Sequence, residues 1–478
     1  MTDGREQDEA GAEADVEVDC VVVGAGPAGE VAAGRLADHG METAVVEVER
    51  VGGDCSFWAC IPSKALLRPG HARHAALRVP GAAQAVTGPL DADAVLAFRD
   101  EAVSGYDDSG QVPWLDGKGV RLVRGEGRLV GERVVEVRGS DGGTTRLTAR
   151  HAVVLATGSA AAVPDVPGLR DAAPWTSRDV TSARRVPERL VVIGAGVVGL
   201  EMTQAFTRLG SSVTLLERGD ALLPRLEPVA GRLLTEALTE DGVDVRFGAD
   251  VRRVARDADG TVTVTLADGE VVADEVLVAA GRRPRTDALG LEVVGLEPGL
   301  AVPVDDTLRS ERAPWLYAIG DVNGRVLLTH QGKYQGGVAA DAIVARARGG
   351  EPPTTAWADH AAVPQVVVTD PEVAAVGLTA AQARDAGHEV RVLEHDMSTA
   401  GSYLHSPAGY RGGAVLVVDA ARDVVLGATF VGQDVADLLH SATVAVVGEV
   451  PLSRLRHAVP SFPTMSEVWL RLLEEAGV

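Results

Sequence analysis

Two copies of one short pattern constrain the fold of this chain more than any other feature of its sequence. In the first copy, the apolar run VDCVVV leads into a Gly-x-Gly-x-x-Gly turn at residues 24–29, a helical stretch, and a second apolar strand that ends near Glu47. In the second copy, the run LVVI leads into the same kind of turn at residues 194–199, and the following strand ends at Glu217. This order of strand, glycine-rich turn, helix, strand and acid is typical of the βαβ unit that binds dinucleotides.

The three glycines of such a turn have different physical roles. The first permits the tight turn, the second lets the backbone approach a pyrophosphate, and the third lets the helix pack closely on the strand. Two ordinary glycine-rich turns are the alternative interpretation. Because a strand precedes each turn, a helix follows it and an acid ends the next strand in both copies, two dinucleotide sites in an α/β fold are the better prediction.

Length and charge narrow the class of protein further. With 478 residues the chain is long enough for about three domains. Its formal net charge of −23 is a poor match for nucleic acid or an anionic membrane surface, so neither is expected as a partner. The acidic start, residues 1–17, is expected to be a disordered tail rather than a signal peptide, and no apolar run is long enough to predict a membrane span.

Several later segments repeat the outline of an apolar strand followed by a glycine. Residues 152–159 read AVVLATGS, residues 275–286 read EVLVAAGRRPRT, and residues 315–321 read WLYAIGD. From about residue 355 onward, apolar strands alternate with helical segments, and no further Gly-x-Gly-x-x-Gly turn occurs. This last stretch predicts a separate α+β domain.

A cysteine pair follows the first copy by a few residues, in the segment GGDCSFWACIPSK (52–64). Cys55 and Cys60 are five residues apart, and on a regular helix that separation exceeds the ~7 Å between Cα atoms that a disulfide tolerates. A bridge between them therefore requires a distorted turn. Pro62 fits the first turn of a helix, which would place Cys60 near a helix N-terminus that favours a thiolate, with Lys64 one turn further on the same face.

Other interpretations of these cysteines remain open at this point. They could be two buried apolar thiols. A metal site would need further ligands, and no other Cys or His follows at a suitable spacing, so no metal is expected. Cys20 lies inside the first strand and is most simply a core residue. Three cysteines in a chain of this length argue against a secreted disulfide framework and for a reducing compartment, so a cytoplasmic location is expected.

These motifs resemble those of the FAD-dependent pyridine nucleotide–disulfide oxidoreductases, and the resemblance extends from about residue 18 to the end of the chain. The segment 52–64 is similar to the redox-disulfide signature of that family. The resemblance implies an α/β fold with two Rossmann-like dinucleotide-binding domains, for FAD and for NAD(P), and a C-terminal α+β dimerisation domain, assembled as a homodimer. The implied divisions are an FAD-binding domain in two parts, an NAD(P)-binding domain and a dimerisation domain, at 18–159 with 285–352, at 160–284, and at 353–478.

The resemblance also implies roles for individual residues. Cys60 would be the sulfur beside the flavin and Cys55 the interchange thiol that faces the substrate, while Lys64 would lie beside the flavin and pair with Glu201. Together with Glu467, these are the expected catalytic residues. The residues expected to bind FAD or the nicotinamide nucleotide are Gly24, Gly26, Pro27, Ala28, Gly29, Glu47, Gly53, Lys64, Ala156, Thr157, Gly158, Gly194, Gly196, Gly199, Glu201, Glu217, Gly281, Gly320 and Asp321.

The nicotinamide cofactor is expected to be NAD rather than NADP. Glu217 ends the second strand of the second copy, where a carboxylate accepts ribose hydroxyls and repels a 2′-phosphate. Arg218 follows directly and leaves NADP open, although a solvated charge at a loop edge is the plainer interpretation.

One position departs from the family pattern. Dihydrolipoyl dehydrogenases and glutathione reductases carry a His-Pro-Thr-x-x-Glu-like motif near the C-terminus, whose His is the acid/base for the interchange thiol of the partner subunit. Here the segment 461–467 reads SFPTMSE, so Phe462 stands at the His position while Glu467 is retained. His457 lies five residues upstream and could substitute, but a plain surface histidine is the simpler interpretation.

The sequence therefore predicts an oxidoreductase that passes electrons between a nicotinamide nucleotide, FAD and a Cys55–Cys60 disulfide, with a small electron acceptor. Dihydrolipoyl dehydrogenase is nearest by overall resemblance, but loss of a general base typically costs ~10²–10⁴ in rate. The alternatives are a quinone-, diaphorase- or mercuric-type reductase with a non-thiol acceptor, and a redox-sensing flavoprotein with little turnover.

Overall fold

The computed structural model describes the chain from residue 14 to residue 478. Its strands are β1 (Ala14–Val23), β2 (Thr43–Glu47), β3 (Arg121–Arg124), β4 (Glu126–Gly131), β5 (Val134–Arg138), β6 (Thr144–Leu155), β7 (Ser159–Ala161), β8 (Arg189–Ile193), β9 (Ser212–Leu216), β10 (Asp244–Arg246), β11 (Val251–Arg256), β12 (Val262–Leu266), β13 (Glu270–Ala273), β14 (Glu275–Val278), β15 (Arg282–Pro284), β16 (Leu316–Ala318), β17 (Gln365–Val367), β18 (Glu372–Gly377), β19 (Val390–His395), β20 (Gly413–Asp419) and β21 (Val424–Gly432).

The helices alternate with these strands. They are α1 (Pro27–Asp38), α2 (Gly53–Phe57), α3 (Cys60–Leu77), α4 (Ala92–Ala102), α5 (Val112–Gly117), α6 (Ser177–Thr181), α7 (Val197–Arg208), α8 (Pro228–Glu240), α9 (Thr329–Ala347), α10 (Ala358–Ala361), α11 (Ala380–Asp385), α12 (Ala400–His405), α13 (Val435–Val447), α14 (Leu452–Leu455) and α15 (Val468–Glu475). Within residues 14–478, no helix combines the length and the apolar character needed to cross a membrane.

The described chain divides into two compact units. Unit 1 comprises the described residues up to Phe57, together with Tyr106–Ala160 and Arg282–Asp359, and unit 2 comprises Trp58–Gly105, Ala161–Gly281 and His360–Val478. Residues 58–105 therefore group with unit 2, although the predicted FAD-binding domain included them. The boundaries of the cofactor-binding and dimerisation domains stay a prediction, because compactness alone does not say which residues bind which cofactor.

Unit 1 is built on a seven-stranded sheet in the order β3-β2-β1-β6-β5-β4, with β16 also paired to β6. β1 is parallel to β2 and to β6, and its Cys20 lies opposite Thr43 on one side and Ala152 on the other. The apolar run of β1 is continuous rather than alternating because this strand is covered on both faces, and Val21 and Val22 are fully buried.

The prediction of a disordered tail over residues 1–17 is wrong at its C-terminal end. Residues 1–13 lie outside the described part of the chain. β1 begins at Ala14, and residues 14–18 pair with residues 145–149 of β6. Because β6 is 12 residues long, its first half offers backbone groups to the residues that precede the apolar run of β1, and hydrogen bonding extends that strand.

Unit 2 contains three sheets. A parallel four-stranded sheet in the order β10-β9-β8-β14 includes the second copy of the strand–turn–helix pattern. An antiparallel three-stranded sheet has the order β11-β12-β13. An antiparallel five-stranded sheet in the order β17-β18-β21-β20-β19 lies in the C-terminal stretch, together with α11–α15. The predicted α+β character of that stretch is therefore confirmed.

Helix α3 belongs to unit 2 because its apolar side is buried there. Its Leu66 and Leu67 share one apolar core with Phe206 of α7 and Val373 of β18, and none of these four side chains is more than 2% exposed. The core therefore joins α3 to the second strand–turn–helix unit and to the five-stranded sheet.

Candidate functional site

The two glycine-rich turns have the same local geometry. Gly24 and Gly194 have φ values of 106° and 102°, a left-handed conformation that L side chains rarely adopt. A Cβ atom on Gly29 would lie 1.9 Å from the Gly24 carbonyl oxygen, and one on Gly199 would lie 2.0 Å from the Gly194 carbonyl oxygen. The first and third glycines are therefore required by the fold itself in both units.

The middle glycine of each turn is in a different situation. Gly26 and Gly196 have φ values of −73° and −76°, which any residue adopts. Among the described residues, a Cβ atom on Gly26 would meet nothing within 4 Å, and one on Gly196 would lie 3.9 Å from the Ala279 carbonyl oxygen. Each is the N-cap of a 12-residue helix, whose first N–H groups have no helical partner. Open space in front of a helix N-terminus suits a pyrophosphate.

The acid that ends the second strand makes the same two contacts in both copies. Glu47 and Glu217 each accept a hydrogen bond from the N–H that follows the first glycine of the turn, and another from the N–H two residues beyond themselves. These distances are 2.8 and 2.7 Å for Glu47, and 2.9 and 2.7 Å for Glu217. Burial raises the pKa of Glu47 above its ordinary value, although the two N–H groups oppose the shift. Each carboxylate is held beside its turn with lone pairs left for ribose hydroxyls.

Several residues predicted to bind FAD form the first turn in unit 1 or lie against it. They are Gly24, Gly26, Ala28, Gly53, Ala156 and Gly320. The backbone segments that carry these residues lie very close together. A Cβ atom on Gly24 would lie 2.5 Å from the Ala156 carbonyl oxygen, and one on Gly53 would lie 2.9 Å from the Gly26 Cα atom. Pro27 occupies the first turn of α1, where its missing N–H costs no helical hydrogen bond.

Asp321 is part of a polar network in unit 1 that the sequence did not indicate. The Ser159 hydroxyl donates to its Oδ2 atom at 2.5 Å, and Arg282 donates through Nε to Ser159 Oγ at 2.6 Å. The Nη2 atom of Arg282 also donates to Asp54 at 3.2 Å. No spacing in the sequence links these four residues, because each comes from a different segment that only the tertiary fold brings together.

The remaining predicted cofactor residues are at strand ends. The Thr157 hydroxyl donates to the Arg285 carbonyl oxygen at 2.8 Å in unit 1. Gly158, which follows Thr157 between β6 and β7, has a φ of 71°. Gly281, which lies between β14 and β15, has a φ of 120°. Both glycines therefore allow turns that other residues would strain.

The two cysteines lie on different helices, as the predicted break in the helix requires. Cys55 is in the short helix α2, Cys60 is the first residue of the 18-residue helix α3, and both are half-buried. Trp58 and Ala59 separate the helices, and Ala59 has φ −135° and ψ −93°, outside the helical region. The expected position of Cys60 at a helix N-terminus is confirmed.

The third cysteine is in a different environment. Cys20 in β1 is fully buried, and burial raises the pKa of its thiol to about 12. The prediction that it is a core residue is confirmed.

Lys64 and Glu201 form an ion pair within unit 2. The Nζ atom of Lys64 donates to Oε2 at 2.7 Å and to Oε1 at 3.0 Å of Glu201. The Glu201 side chain is only 3% exposed, and its Oε1 atom accepts a further hydrogen bond from the N–H of Val368 at 2.9 Å. Taking a carboxylate out of water costs free energy, which the ion pair and the N–H of Val368 offset. The pairing expected from the resemblance is present, and it fixes an ammonium one helical turn from Cys60.

A polar seam continues from this ion pair along α7. Gln204 exchanges two hydrogen bonds with the backbone of Asp370, at 2.8 and 2.9 Å. The Asp370 carboxylate accepts from Arg208 at 3.1 Å and from Arg78 at 2.8 Å. Burial would raise the pKa of Asp370, but the two guanidinium groups hold it below its ordinary value. These hydrogen bonds and ion pairs hold α3, α7 and the segment after β17 together, and no sequence motif indicated the residues that form them.

The C-terminal motif has an exposed aromatic ring and a buried acid. The Phe462 side chain is 75% exposed. Glu467 ends the 3₁₀ helix Met465–Glu467 and is 7% exposed, and its Oε2 atom has no hydrogen-bond partner among the described residues. His457 is exposed. In residues 14–478, no group of three or more His, Cys, Asp or Glu side chains could hold a metal ion.

Comparison with known proteins agrees with this geometry. The family model of the pyridine nucleotide-disulphide oxidoreductases matches residues 18–336, and the model of the dimerisation domain of that family matches residues 363–472. A dihydrolipoyl dehydrogenase from Thermus scotoductus is 36% identical over 457 residues, which cover 94% of this chain and 95% of that protein. A mercuric reductase from Bacillus cereus is 32% identical over 463 residues, which cover 95% of this chain and 71% of that protein.

A solved structure has the same fold. The Cu(II) complex of the HOCl-induced flavoprotein disulfide reductase RclA from Escherichia coli matches with a TM-score of 0.84 and 24% identity, covering 96% of this chain and 99% of that one. The fold and the two relatives point the same way as the paired nucleotide turns and the Lys64–Glu201 ion pair. The chain belongs to the pyridine nucleotide–disulphide oxidoreductases, enzymes that use FAD and NAD(P)H.

Proposed function

We propose that this enzyme uses NADH to reduce the Cys55–Cys60 pair through FAD, and that the pair passes two electrons to an acceptor that needs no proton from position 462. The arrangement around Cys60 carries the proposal. Cys60 begins an 18-residue helix, and the Lys64 ammonium one turn later is held at 2.7 Å by a buried Glu201. The helix N-terminus and the fixed cation both favour negative charge on sulfur.

The residues of unit 1 fit FAD. The open space over Gly26 would admit a pyrophosphate that any side chain there would obstruct, and Glu47, held by the Ala25 N–H, would offer its remaining lone pairs to a ribose. Asp321, with Ser159 and Arg282 around it, would be the polar group that holds the ribityl chain. When bound, FAD supplies a two-electron relay between the nicotinamide and the cysteine pair.

The residues of unit 2 fit NADH. Gly196 leaves space at the second turn, and Glu217 offers a carboxylate to the adenine ribose. A carboxylate repels the 2′-phosphate of NADPH. The neighbouring Arg218 is exposed, as expected of a solvated charge. Assays with NADH and with NADPH test this preference. We expect a lower KM for NADH than for NADPH, and the Glu217→Ala variant should narrow the difference between the two KM values.

Position 462 bears on the identity of the acceptor. Transfer to a disulfide releases a thiolate that must gain a proton, whereas a thiophilic metal ion bound by thiolates gains only electrons. Phe462 cannot move a proton, and the Oε2 atom of the buried Glu467 has no partner among the described residues. Mercuric reductases are among the relatives that match most of this chain. A thiophilic metal ion is therefore the acceptor class that we propose.

Reduction of a disulfide such as lipoamide is the second candidate. The relative from Thermus scotoductus is a dihydrolipoyl dehydrogenase matched along 95% of its length, and Glu467 of its family motif is kept and buried here. On this view, another group would replace the missing histidine, and His457 is the nearest in sequence.

We further propose that the enzyme is a homodimer that works in a reducing compartment such as the cytoplasm. Residues 363–472 match the dimerisation domain, and large apolar side chains in this region are exposed on the single chain. They include Tyr403 (63%), Leu404 (58%), Val459 (82%) and Phe462 (75%). Exposed apolar side chains of this size favour a protein interface. Light scattering on the full-length protein should give twice the mass of one chain.

An acceptor panel tests the proposed activity. NADH oxidation by the FAD-loaded protein is followed with Hg(II), with lipoamide and with a quinone. We expect turnover with the metal ion that is lost in the Cys55→Ser variant, and lipoamide reduction slower by ~10²–10⁴ than an intact acid/base histidine would allow. Quinone turnover that survives in Cys55→Ser, without metal turnover in the parent, would mean that the thiols are accessory.

The Phe462→His variant separates the two acceptor classes. Restoring an acid/base group should accelerate lipoamide reduction by about 10²-fold or more and leave metal-ion reduction within about twofold. The Phe462→Leu variant is the matched control, because it changes the side chain without adding a titrating group. Fast lipoamide reduction by the parent that Phe462→His does not improve would contradict the proposal.

A further inference from the structure

Trp58, one of the two residues between α2 and α3, is contacted by residues from outside the cysteine motif. The guanidinium carbon of Arg178 lies 4.1 Å from the centroid of the Trp58 ring, and both side chains are half-buried. The Thr181 hydroxyl lies 2.9 Å from the Trp58 carbonyl oxygen and can donate to it, or to the Ser177 carbonyl oxygen of its own helix at the same distance. Trp58 is therefore contacted through its ring and its backbone by one short helix, α6.

Helix α6 is itself firmly attached within unit 2. Arg99 of α4 is 1% exposed, and its guanidinium donates to the carbonyl oxygens of Thr181 and, at 2.9 Å, of Ala183. A buried cation at the C-terminal end of a helix satisfies carbonyl groups that have no helical partner. Val180 of α6 is also fully buried in the apolar core that α3 shares. The surface that contacts Trp58 is thus a fixed one.

The conformation of the chain at Trp58 matters because of the spacing of the cysteines. Five residues along one continuous helix advance ~7.5 Å, which is beyond the Cα separation of a disulfide. The chain avoids this by ending α2 at Phe57 and starting α3 at Cys60, with Ala59 outside the helical region. Whatever holds Trp58 in its place therefore also maintains the interruption that lets the two sulfurs approach.

We propose that Arg178, Trp58 and Thr181 form a clamp that holds the interrupted segment between Cys55 and Cys60, and that Arg178 is a positioning residue for the disulfide. This inference rests on the proposed redox role of the cysteine pair. Tryptophan attracts a cation more strongly than the other aromatic side chains do. Because Arg178 and Trp58 are half-buried, solvent ions screen their attraction less than they would screen that of an exposed pair. The clamp acts on the backbone and does not contact the reacting atoms.

The clamp should favour the bridged form of the pair. In exchange with glutathione, Cys55 and Cys60 lose two electrons and two protons as their sulfur–sulfur bond forms, while the bond of oxidised glutathione breaks and two reduced glutathione molecules leave. Holding the interrupted segment in one conformation lowers the entropy that closing this short loop costs. Without the clamp, the segment samples extended conformations and the dithiol gains relative to the disulfide.

The test is the equilibrium between dithiol and disulfide. Full-length FAD-loaded protein is equilibrated in glutathione buffers of different ratio, quenched with an alkylating reagent and analysed by mass. Cys20 does not interfere before unfolding because it is fully buried. We expect Arg178→Ala to lower the equilibrium constant for oxidation about tenfold, a change within the range of a partly desolvated cation–π contact. Trp58→Val should behave similarly.

Conservative variants and a matched control complete the design. Arg178→Lys keeps the cation and should recover most of the effect. Arg170→Ala removes an exposed arginine of the same unit, which donates to the Val163 carbonyl oxygen at 2.8 Å, and should leave the constant unchanged. Equilibrium constants for Arg178→Ala and Trp58→Val within about twofold of the parent overturn the clamp. A parent protein whose cysteines form no bridge at any ratio overturns the proposed redox role as well.

Discussion

The glycines of the first nucleotide turn give the sharpest prediction. The fold requires the third glycine, Gly29, whereas we expect the bound cofactor to require the second glycine, Gly26. A Cβ atom on Gly29 would lie 1.9 Å from the carbonyl oxygen of Gly24. Since the clash is with backbone rather than with a flexible side chain, the two segments have little freedom to move apart. Overpacking in a well-packed region costs about 1–3 kcal/mol, and a clash with backbone belongs at the upper end or beyond. We expect Gly29→Ala to lower the free energy of unfolding by about 3 kcal/mol or more.

Gly26→Ala should leave the stability of the fold nearly unchanged and weaken the binding of FAD. A Cβ atom there meets nothing among the described residues within 4 Å, and the φ of −73° is ordinary for alanine. Replacing a glycine N-cap changes stability by less than about 1 kcal/mol. The methyl group would, however, occupy the space where the backbone approaches a pyrophosphate. We expect FAD affinity to fall by tenfold or more, which corresponds to about 1.4 kcal/mol.

The measurement pairs two observables on the same variants. Urea unfolding of flavin-stripped protein reports the stability of the fold, and quenching of flavin fluorescence on titration reports affinity for FAD. Gly196→Ala in unit 2 is an internal control, since it should raise the KM for NADH while leaving FAD binding unchanged. Gly26→Ala protein that binds FAD within about twofold of the parent would refute the assignment of the first turn to FAD.

Three further outcomes are expected. The Asp370→Ala variant removes the carboxylate that accepts from Arg78 and leaves Arg208 paired with Asp241 alone, so the free energy of unfolding should fall by about 3 kcal/mol in denaturant titrations; a loss below about 1 kcal/mol would mean that water or Asp241 replaces the lost contacts. Burial raises the pKa of Glu30 to about 7, with the Lys333 ammonium opposing and the Glu47 carboxylate adding to the shift. Because this folded-state pKa lies above the unfolded-state value, flavin-stripped protein should lose stability as the pH rises from about 4.5 to about 7, and Glu30→Gln should flatten the profile. Cys20, whose thiol pKa burial raises to about 12, should resist alkylation at pH 8 until the protein is unfolded, which mass analysis before and after urea checks.

The local pattern of the sequence was enough for the elements that bind nucleotides. Each turn is encoded within about 30 consecutive residues, because the strand, the glycines, the helix and the acid of a βαβ unit follow one another along the chain. The same holds for the start of α3, where Pro62 indicated a first helical turn and so placed Cys60 at a helix N-terminus. Short-range sterics and hydrogen bonding decide these features, and both can be read from neighbouring residues.

The extent of the first strand was a different matter. Residues 14–17, which read ADVE, are too short and too acidic to predict a strand locally, and the 12-residue β6 extends β1 over them through backbone hydrogen bonds. The grouping of α3 with unit 2 likewise depends on its contacts with α7 and the segment after β17, which lie more than 100 residues away in the sequence.

By itself, the sequence determined the two dinucleotide units and the family, and it showed a phenylalanine at position 462. Only the tertiary structure decided which contacts form around the candidate site residues. In these contacts Arg282 bridges Asp54 and Ser159, Asp370 lies between two arginines, and Arg178 lies over Trp58. The physical reason is that ion pairs and stacked rings act over a few ångströms in space, whereas the residues that form them are separated along the chain by distances on which no sequence pattern depends.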